Sequence, residues 1–332
     1  MKAIKFFAIS AMAAAMITSC STDDELSQSN YPSDNIVRVT AGVNNAKTRA
    51  EGAGTEMKND FSLTIVNKNA SKYTYTDKVF SKKSGDWACS ETLLWQKSDA
   101  LVDIVAFAPA QTGKFNGVYA EGSIKPIAYS VASDQSTSSD YNDLLYYYAP
   151  SFKPGDKLVD KKLNIQFNHA FCMIDIVVTL GTEFNKPSIP TTSPIVKVTL
   201  GGTKIAANVD VTNAASVVTA SETAAAADIT TTKGTFTPAE NADKKADPEA
   251  NAISRFSCIA IPQTVAGKTF KVSLMTADKL YEWTSAEPVV LQSGYRYTLK
   301  LSMGNDVVLL KGEKITATPW TEITSDKPLE TD

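Results

Sequence analysis

The stretch LNIQFNHAFCMIDIVVTL, residues 163–180, decides the fold class of this chain. Apolar and polar residues alternate from Leu163 to Phe167, and the half from Met173 to Leu180 is rich in β-branched residues. Alternation with a period of two is typical of a strand with one buried face, and β-branched side chains fit a pleated sheet. His169 and Asp175 interrupt the run, so it is strand material and not a membrane span.

The same period of two recurs along the chain, whereas the 3.6-residue period of helices is almost absent after residue 20. Many short strands separated by Gly, Pro and Asn turns are typical of β-sandwiches, so we predict an all-β fold. The nearly continuous apolar run Leu101–Ala108 predicts a strand that is buried on both faces. The other predicted strands include Ile36–Val43, Phe61–Ile65, Tyr73–Thr76, Phe270–Leu274 and Tyr295–Leu301.

The alternating strand pattern is interrupted at three places in the rest of the chain. Gly201-Gly202 lies between two apolar runs and predicts a hairpin turn. Residues 216–252 are rich in Thr and Ala and lack large apolar anchors, which predicts a long surface loop between strands. Pro154-Gly155-Asp156-Lys157 breaks the strand pattern, so we expect domains at 36–157 and 158–332.

The composition is that of a globular protein and argues against several kinds of chemistry. Of 332 residues, 43% are hydrophobic and 21% are charged, which suits about two domains with their own cores. The net charge of -3 gives no electrostatic reason to bind nucleic acid. A single histidine and four cysteines argue against His-based metal sites and most nucleophile–histidine catalysis. Composition therefore favours a structural or binding protein over an enzyme.

The first twenty residues have the pattern of a secretion signal. A short basic start precedes Phe6–Ile17, which is apolar except for one serine and too short to span a bilayer. Ile17-Thr18-Ser19-Cys20 resembles a bacterial lipobox, in which cleavage falls between Ser19 and Cys20 and the cysteine carries acyl chains such as palmitate. This resemblance implies a lipoprotein signal peptide at 1–19 and lipid attachment at Cys20; a plain secretory signal is the alternative.

Residues 20–35 are polar and predict a flexible tether. The tether contains the acidic run Asp23-Asp24-Glu25 shortly after Cys20. Such a run resembles the surface-export signal of Bacteroidetes lipoproteins, and a solvated tether without that role is the alternative.

Several short patterns look like active-site motifs but lack the required context. His169 lies in a strand with no second histidine in the chain, which favours a hydrogen-bonded core residue. Gly267-Lys268-Thr269 resembles the end of a phosphate-binding loop, but Pro262 takes the place of its first glycine. Asp140-Tyr141-Asn142-Asp143 lacks the spacing, glycine and glutamate of a calcium loop. We predict no catalytic residue, no metal ligand and no cofactor.

Two groups of residues leave alternatives open. Cys172 and Cys258 lie in apolar strand contexts and are either buried free thiols or a disulfide of an exported protein. Tyr146-Tyr147-Tyr148 are either half-buried packing residues or a platform on which sugars stack.

Six segments have an order and spacing that point to a known family. They are Leu94-Trp95 with Val102–Pro109, Asp143–Tyr147, Leu163–Ile176 around Phe167-Asn168-His169-Ala170, Ile261–Thr264, Gly294–Leu299, and Ile315–Trp320. Together they resemble the fimbrillin-like proteins of Bacteroidetes, the subunits of type V pili. In this resemblance Leu163–Ile176 corresponds to the opening strand of the second domain.

The resemblance implies two tandem transthyretin-like β-sandwich domains and a maturation step. A protease cuts after an arginine beyond the first strand, and loss of that strand opens a groove that an extended segment of the next subunit fills. Arg49-Ala50 is the scissile candidate, in a polar linker of the kind that proteases prefer. Arg38 is a competing arginine within the strand, and a solvated, uncut Arg49 is the alternative. The displaced strand carries Val37, Val39, Ala41 and Val43.

The C-terminal stretch 307–323 is the candidate donor strand. Head-to-tail contacts between subunits do not close on themselves, so they build filaments. Strand addition supplies main-chain hydrogen bonds, and apolar side chains fill the pockets. The donor's apolar residues include Val307, Leu309, Ile315 and Trp320.

We therefore expect a fimbrial structural subunit or fimbria-associated lipoprotein that supports cell adhesion, and no enzyme. It would lie at the cell outer membrane, lipid-anchored and surface-exposed, and in the fimbrium. Its expected partners are other fimbrial subunits and a host or bacterial surface receptor, with no nucleic acid. The alternative is a surface glycan-binding lipoprotein with β-sandwich modules. A secreted hydrolase, a third hypothesis, would need a nucleophile, metal cluster or acid/base pair that the sequence does not mark.

Overall fold

The computed structural model describes residues 30–44, 55–57, 59–110, 119–120, 123–137, 143–305, 307–311 and 315–320, and the structural statements below concern those residues. The signal peptide, most of the tether, Ser19, Cys20, Arg49 and Ala50 lie outside them, so the predictions for these positions stay predictions.

Short strands make up nearly all of the regular structure, which confirms the all-β prediction. The helical parts include one turn of α-helix at Pro154–Lys157 and 3-10 turns at Ser71–Tyr73 and Thr182–Asn185. In chain order the strands are β1 (Val39–Val43), β2 (Thr55–Glu56), β3 (Phe61–Val66), β4 (Tyr75–Lys83), β5 (Asp86–Cys89), β6 (Val102–Ala108), β7 (Tyr119–Ala120), β8 (Ser123–Ile124), β9 (Ile127–Ser130), β10 (Leu145–Phe152), β11 (Leu163–His169), β12 (Cys172–Leu180), β13 (Lys197–Lys204), β14 (Ala206–Val209), β15 (Val218–Ala220), β16 (Ala226–Thr230), β17 (Thr232–Thr237), β18 (Ile253–Ala260), β19 (Gln263–Val265), β20 (Lys271–Met275), β21 (Leu280–Thr284), β22 (Val289–Leu291), β23 (Tyr295–Met303), β24 (Val308–Leu310) and β25 (Thr316–Pro319).

Eight strands form the first sheet, in the order β2-β1-β11-β10-β6-β3-β4-β5. Its neighbouring strands are antiparallel except for β1 and β11, which run parallel with Val39 opposite Leu163 and Val43 opposite Phe167. The N-terminal strand therefore enters the sheet beside a strand from the middle of the chain.

Most of the later strands form two further sheets. One has the order β17-β18-β12-β23-β24, with β25 also paired to β23, and contains the parallel pair β12–β23. The other has the order β16-β13-β20-β21. A small sheet, β15-β14-β9, joins a strand from the first half of the chain to two strands from the second half.

The buried apolar side chains form two clusters. The first cluster includes Phe61 and the second includes Phe171. β6 contributes to both, because Ile104 lies in the first cluster and Phe107 in the second, on opposite faces of the strand. The prediction that Leu101–Ala108 forms a strand buried on both faces is confirmed for Val102–Ala108.

β11 belongs to the first sheet, whereas the resemblance placed it at the opening of the second domain. It pairs with β1 and β10, and its apolar side chains, from Leu163 to Phe167, lie in the first cluster. β12 lies in a different sheet. Alternation shows that a strand has one buried face but not which sheet receives it. β11 therefore lies in the first sheet beside β1, and the division of the chain into domains at 36–157 and 158–332 stays a prediction.

Gly201-Gly202 lies inside a strand and not at a hairpin turn, so that prediction is wrong. β13 continues through both glycines to Lys204, with a shift in its register against β16. Gly202 has a φ of +84°, and a Cβ there would lie 2.1 Å from the carbonyl oxygen of Thr269. The glycines therefore form a bulge that lies close to a neighbouring backbone, a role that sequence does not distinguish from a turn.

Gly202→Ala is expected to lower the free energy of unfolding by about 2–4 kcal/mol, because left-handed strain adds to the clash with Thr269. Gly85→Ala is a matched control, since Gly85 has a φ of +97° but nothing within 4 Å of an added methyl. We expect this control to cost only about 1–2 kcal/mol. Urea denaturation measures both changes, and equal losses would contradict the close backbone contact.

Much of the Thr/Ala-rich region 216–252 forms strands, so the prediction of a long surface loop is wrong there. β15, β16 and β17 each pair with a neighbouring strand, and Ile229 of β16 is fully buried. Threonine favours strands through its branched Cβ even where large apolar residues are few.

Candidate functional site

The N-terminal segment 30–44 lies against two distant parts of the chain. The amide of Val37 donates to the carbonyl of Leu93 at 2.9 Å, and the amide of Trp95 donates to the carbonyl of Asn35 at 2.8 Å. Beyond these contacts, β1 pairs with β11 along five residues. Backbone hydrogen bonds therefore hold the segment before and along β1.

The side chains of β1 and of the residues before it anchor the segment in the first cluster. Val37, Val39 and Val43 are buried there, and Ala41 is partly buried against it. Thr40, on the other face, is exposed. Full burial of a valine contributes about 1.5–3 kcal/mol. The structure thus places three of the four residues predicted for the displaced strand as core anchors.

β11 depends on β1 for most of its strand pairing. β10 pairs with β11 only at Asn168 and His169. Over Leu163–Phe167, β1 is its only strand partner in the described part of the chain. Removal of β1 would therefore leave five residues of β11 without a neighbour in the sheet.

Arg38, the competing arginine, is held in place by two sets of contacts. Its guanidinium Nη1 and Nη2 donate to Asp34 Oδ1 and Oδ2 at 3.0 and 2.5 Å. This hydrogen bonding holds the pKa of Asp34 well below its usual range. The Arg38 carbonyl accepts the amide of Leu163 at 2.8 Å. Proteases prefer exposed, unpaired backbone, so the docked Arg38 is a poor cleavage site.

The C-terminal segment closes the edge of its own sheet. β24 pairs antiparallel with Leu301–Met303, and β25 pairs antiparallel with Tyr295–Thr298, on the same strand β23. An edge strand left unpaired is a template for another chain, so this pairing covers the edge within the monomer.

The residues around β24 are apolar on both faces. Val308 is buried in the second cluster and Leu310 is partly buried against it. Val307 and Leu309 point the other way and are 51% and 58% exposed. One apolar face of this segment packs on its own chain, and the other is exposed. An exposed apolar face is suited to contact with a second protein.

Trp320 anchors the end of the described C-terminal segment. Its amide donates to the carbonyl of Gly294 at 2.7 Å, and its ring stacks on His169 with 3.8 Å between ring centroids and 11° between the planes. His169 Nδ1 in turn donates to Asp143 Oδ2 at 2.7 Å. Trp320, His169 and Asp143 are all buried, and we call them the tryptophan socket.

The socket confirms the interpretation of His169 as a hydrogen-bonded core residue, but sequence reasoning missed its two partners. Asp143 was considered as part of a calcium motif, and Trp320 as a donor-strand residue, but neither was predicted to contact His169. No local pattern joins three residues that lie so far apart in the chain. The resemblance supplied the only available signal, because all three lie in its quoted segments.

Tyr146, Tyr147 and Tyr148 pack against the two clusters. Tyr146 and Tyr148 contact the second cluster and Tyr147 contacts the first. Burial raises the pKa of all three phenols. This arrangement favours packing over the alternative of a sugar-stacking platform.

Cys172 and Cys258 are free thiols, and both are buried in the second cluster. Cys172 Sγ donates to the carbonyl of Ala260 at 3.2 Å. Burial raises the pKa of both thiols well above the usual value, which keeps them protonated and unreactive.

Within the described ranges, no group of three or more His, Cys, Asp or Glu side chains is placed to hold a metal ion. No helix in the same ranges is long and apolar enough to cross a membrane.

The fold of this chain is shared with solved proteins of Bacteroides. It is similar to a candidate cell adhesion protein from Bacteroides ovatus ATCC 8483, with a TM-score of 0.61, 16% identity, and coverage of 89% of this chain and 100% of that one. It is also similar to a candidate cell adhesion protein from Bacteroides uniformis ATCC 8492, with a TM-score of 0.54, 14% identity, and coverage of 87% of this chain and 100% of that one. A fimbrial protein from Bacteroides vulgatus ATCC 8482 is similar with a TM-score of 0.52, 13% identity, and coverage of 86% of this chain and 99% of that one. At these identities the structures establish the fold alone.

The sequence matches the model of the fimbrillin-like family over residues 48–320, so the chain belongs to that family. None of the curated proteins matches the sequence. Membership in this family supports a role as a fimbrial subunit at the cell surface.

Proposed function

We propose that this chain is a lipid-anchored fimbrial subunit that joins other copies by strand exchange and supports cell adhesion. The observation that carries the proposal is the position of β1, which is anchored in the first cluster and is the strand partner of β11 over Leu163–Phe167. Removal of β1 would therefore leave an empty groove beside β11.

Loss of the N-terminal segment would expose both apolar surface and unpaired backbone. The pockets of Val37, Val39 and Val43 would open to water, and β11 would present free N–H and C=O groups to an incoming strand. Each restored backbone hydrogen bond contributes a net of about 0.5–1.5 kcal/mol, and each buried valine-sized anchor about 1.5–3 kcal/mol. The vacated groove is thus an acceptor for an extended apolar segment.

The C-terminal segment has the features that a donor needs. Val307 and Leu309 are separated by two positions, as Val37 and Val39 are, and they are exposed in the monomer. In a strand these two side chains share one face, so that face can enter the groove of another copy. The joint is head to tail and leaves a donor and an acceptor at opposite ends of each oligomer, which yields a filament.

The proposal assigns the unprocessed chain to the outer membrane through acyl chains on Cys20. Cleavage after Arg49 separates residues 50–332 from Cys20, and therefore from the lipid anchor, when the subunit enters the fimbrium. The partners are other fimbrial subunits and, for adhesion, a host or bacterial surface receptor.

Protein recovered from the cell surface tests this function directly. We expect N-terminal sequencing to give Ala50 as the first residue of the processed form, and unboiled gels to show a ladder of oligomers. A population that contains only the lipidated chain from Cys20 would contradict a polymerising subunit and would leave a role as anchor or tip.

A further inference from the structure

We propose that β11 couples the two terminal segments, so that β25 and Trp320, at the end of the C-terminal segment, stay docked on their own chain until β1 is lost. This inference takes its purpose from the proposed strand exchange, but its contacts are those of the unprocessed monomer. It adds an order of events, in which removal of the N-terminal strand loosens the end of the donor segment.

Three consecutive residues at the end of β11 contact both segments. Val43 lies opposite Phe167, whose carbonyl accepts the amide of Asn44 at 2.7 Å. Asn44 Nδ2 donates to Asn168 Oδ1, also at 2.7 Å. The ring of the next residue, His169, stacks on the ring of Trp320. The end of the N-terminal strand and the end of the C-terminal segment are thus neighbours along one strand.

The stability of this strand end depends on β1. Without β1, Leu163–Phe167 has no strand neighbour in the described structure, and only Asn168 and His169 keep their pairing with β10. Keeping these residues ordered costs backbone entropy, and β1 supplies the hydrogen bonds that offset this cost. Loss of β1 therefore lets β11 open locally toward His169.

The docking of β25 in turn depends on His169, whereas β24 is held separately by its pairing with β23 and by Val308 in the second cluster. All four residues of β25 are exposed, so their side chains contribute little to its attachment. Trp320 is the buried anchor that follows β25, and its ring lies on the imidazole of His169. When His169 loses its fixed position, the stacking contact weakens, and β25 is left with its backbone pairing to β23 and the hydrogen bond from the Trp320 amide to Gly294.

The consequence is that the acceptor groove opens and the end of the donor segment loosens together. In the unprocessed chain, β1 fills the groove and the tryptophan socket holds β25, the end of the C-terminal segment. After β1 is lost, the groove is open and the same loss weakens the socket. Before processing, β1 therefore both blocks the groove and steadies the end of the donor segment.

Hydrogen exchange measured by mass spectrometry on the chain from Ser21 to Asp332 tests the coupling. Val43→Asp undocks β1 without any cleavage, because it places a carboxylate in the first cluster. Val290→Asp is the control, because it places a carboxylate at a 54% exposed position on β22, outside both terminal segments and β11. We expect Val43→Asp to speed exchange about tenfold in peptides covering 163–169 and 316–320, and Val290→Asp to change neither.

Two results would overturn the coupling. One is faster exchange in 163–169 with no change in 316–320. The other is an equal increase over the whole chain, including the buried strand β12, in Val43→Asp and also in the milder Val43→Ala. A second readout uses His169, the sole histidine of the chain. Its ring-proton signal is expected to be shifted by the ring current of Trp320 and to lose that shift in Val43→Asp; an unchanged signal would also overturn the coupling.

The proposed function fails separately from this coupling. If processed wild-type protein forms no oligomers on unboiled gels while Val43→Asp still releases 316–320, strand exchange is contradicted and the coupling stands. If oligomers form but exchange in 316–320 is the same with and without β1, the coupling is contradicted and strand exchange stands.

Discussion

A chain in which Val307 and Leu309 are both replaced by aspartate is expected to fold as a monomer but to form no oligomers after processing. Both side chains are more than half exposed, so charges there change monomer stability by about 0.5 kcal/mol or less. In the exchanged state the same side chains would enter the apolar groove left by β1, where an unpaired carboxylate costs several kcal/mol. The measurements are thermal unfolding of the monomer and oligomer content on unboiled gels.

Leu280→Asp is the control for this double variant. Leu280 is 54% exposed and lies on β21, outside the proposed donor segment. It is expected to leave both the monomer and the oligomers unchanged. Oligomers at the wild-type level in the double variant would exclude Val307 and Leu309 as the donor face.

Arg49→Gln is expected to abolish both the processed form and the filament. An uncut β1 stays covalently attached, and a tethered strand acts at an effective concentration in the millimolar range. An incoming strand from another copy therefore does not displace it. N-terminal sequencing and electron microscopy of surface material measure the two effects.

Arg38→Gln provides the comparison for the cleavage site. It removes the exposed ion pair with Asp34 but keeps the backbone hydrogen bond to Leu163. We expect processing at the normal position and normal filaments. Loss of filaments in Arg38→Gln together with normal filaments in Arg49→Gln would move the cleavage site to Arg38.

Local alternation of side chains predicts where the strands lie in this chain. The runs Phe270–Leu274 and Tyr295–Leu301 correspond to β20 and β23, and the run before Asn44 corresponds to β1. In each of these strands one face is buried and therefore apolar. Because successive side chains point to opposite faces, the buried face appears in the sequence as an alternation of apolar and polar residues.

Strand partners are decided by contacts between residues far apart in sequence, and here local reasoning fails. The period of Leu163–Phe167 is the same whether the strand opens a second domain or accepts β1 in the first sheet. Gly201-Gly202 has the composition of a turn, but the backbone of Thr269 determines that it forms a bulge. The contact of Trp320 with His169 depends on the pairing of β23 with β25, which no sequence period encodes.

β6 has a mechanical consequence for any fibre built from this protein. Its alternate side chains are embedded in both apolar clusters, so one half of the molecule cannot rotate against the other without opening close-packed interior. Each copy should therefore behave as a rigid body. Bending under load would concentrate at the junctions between copies, and the length and tautness of the connecting strand would set the persistence length of the whole fibre.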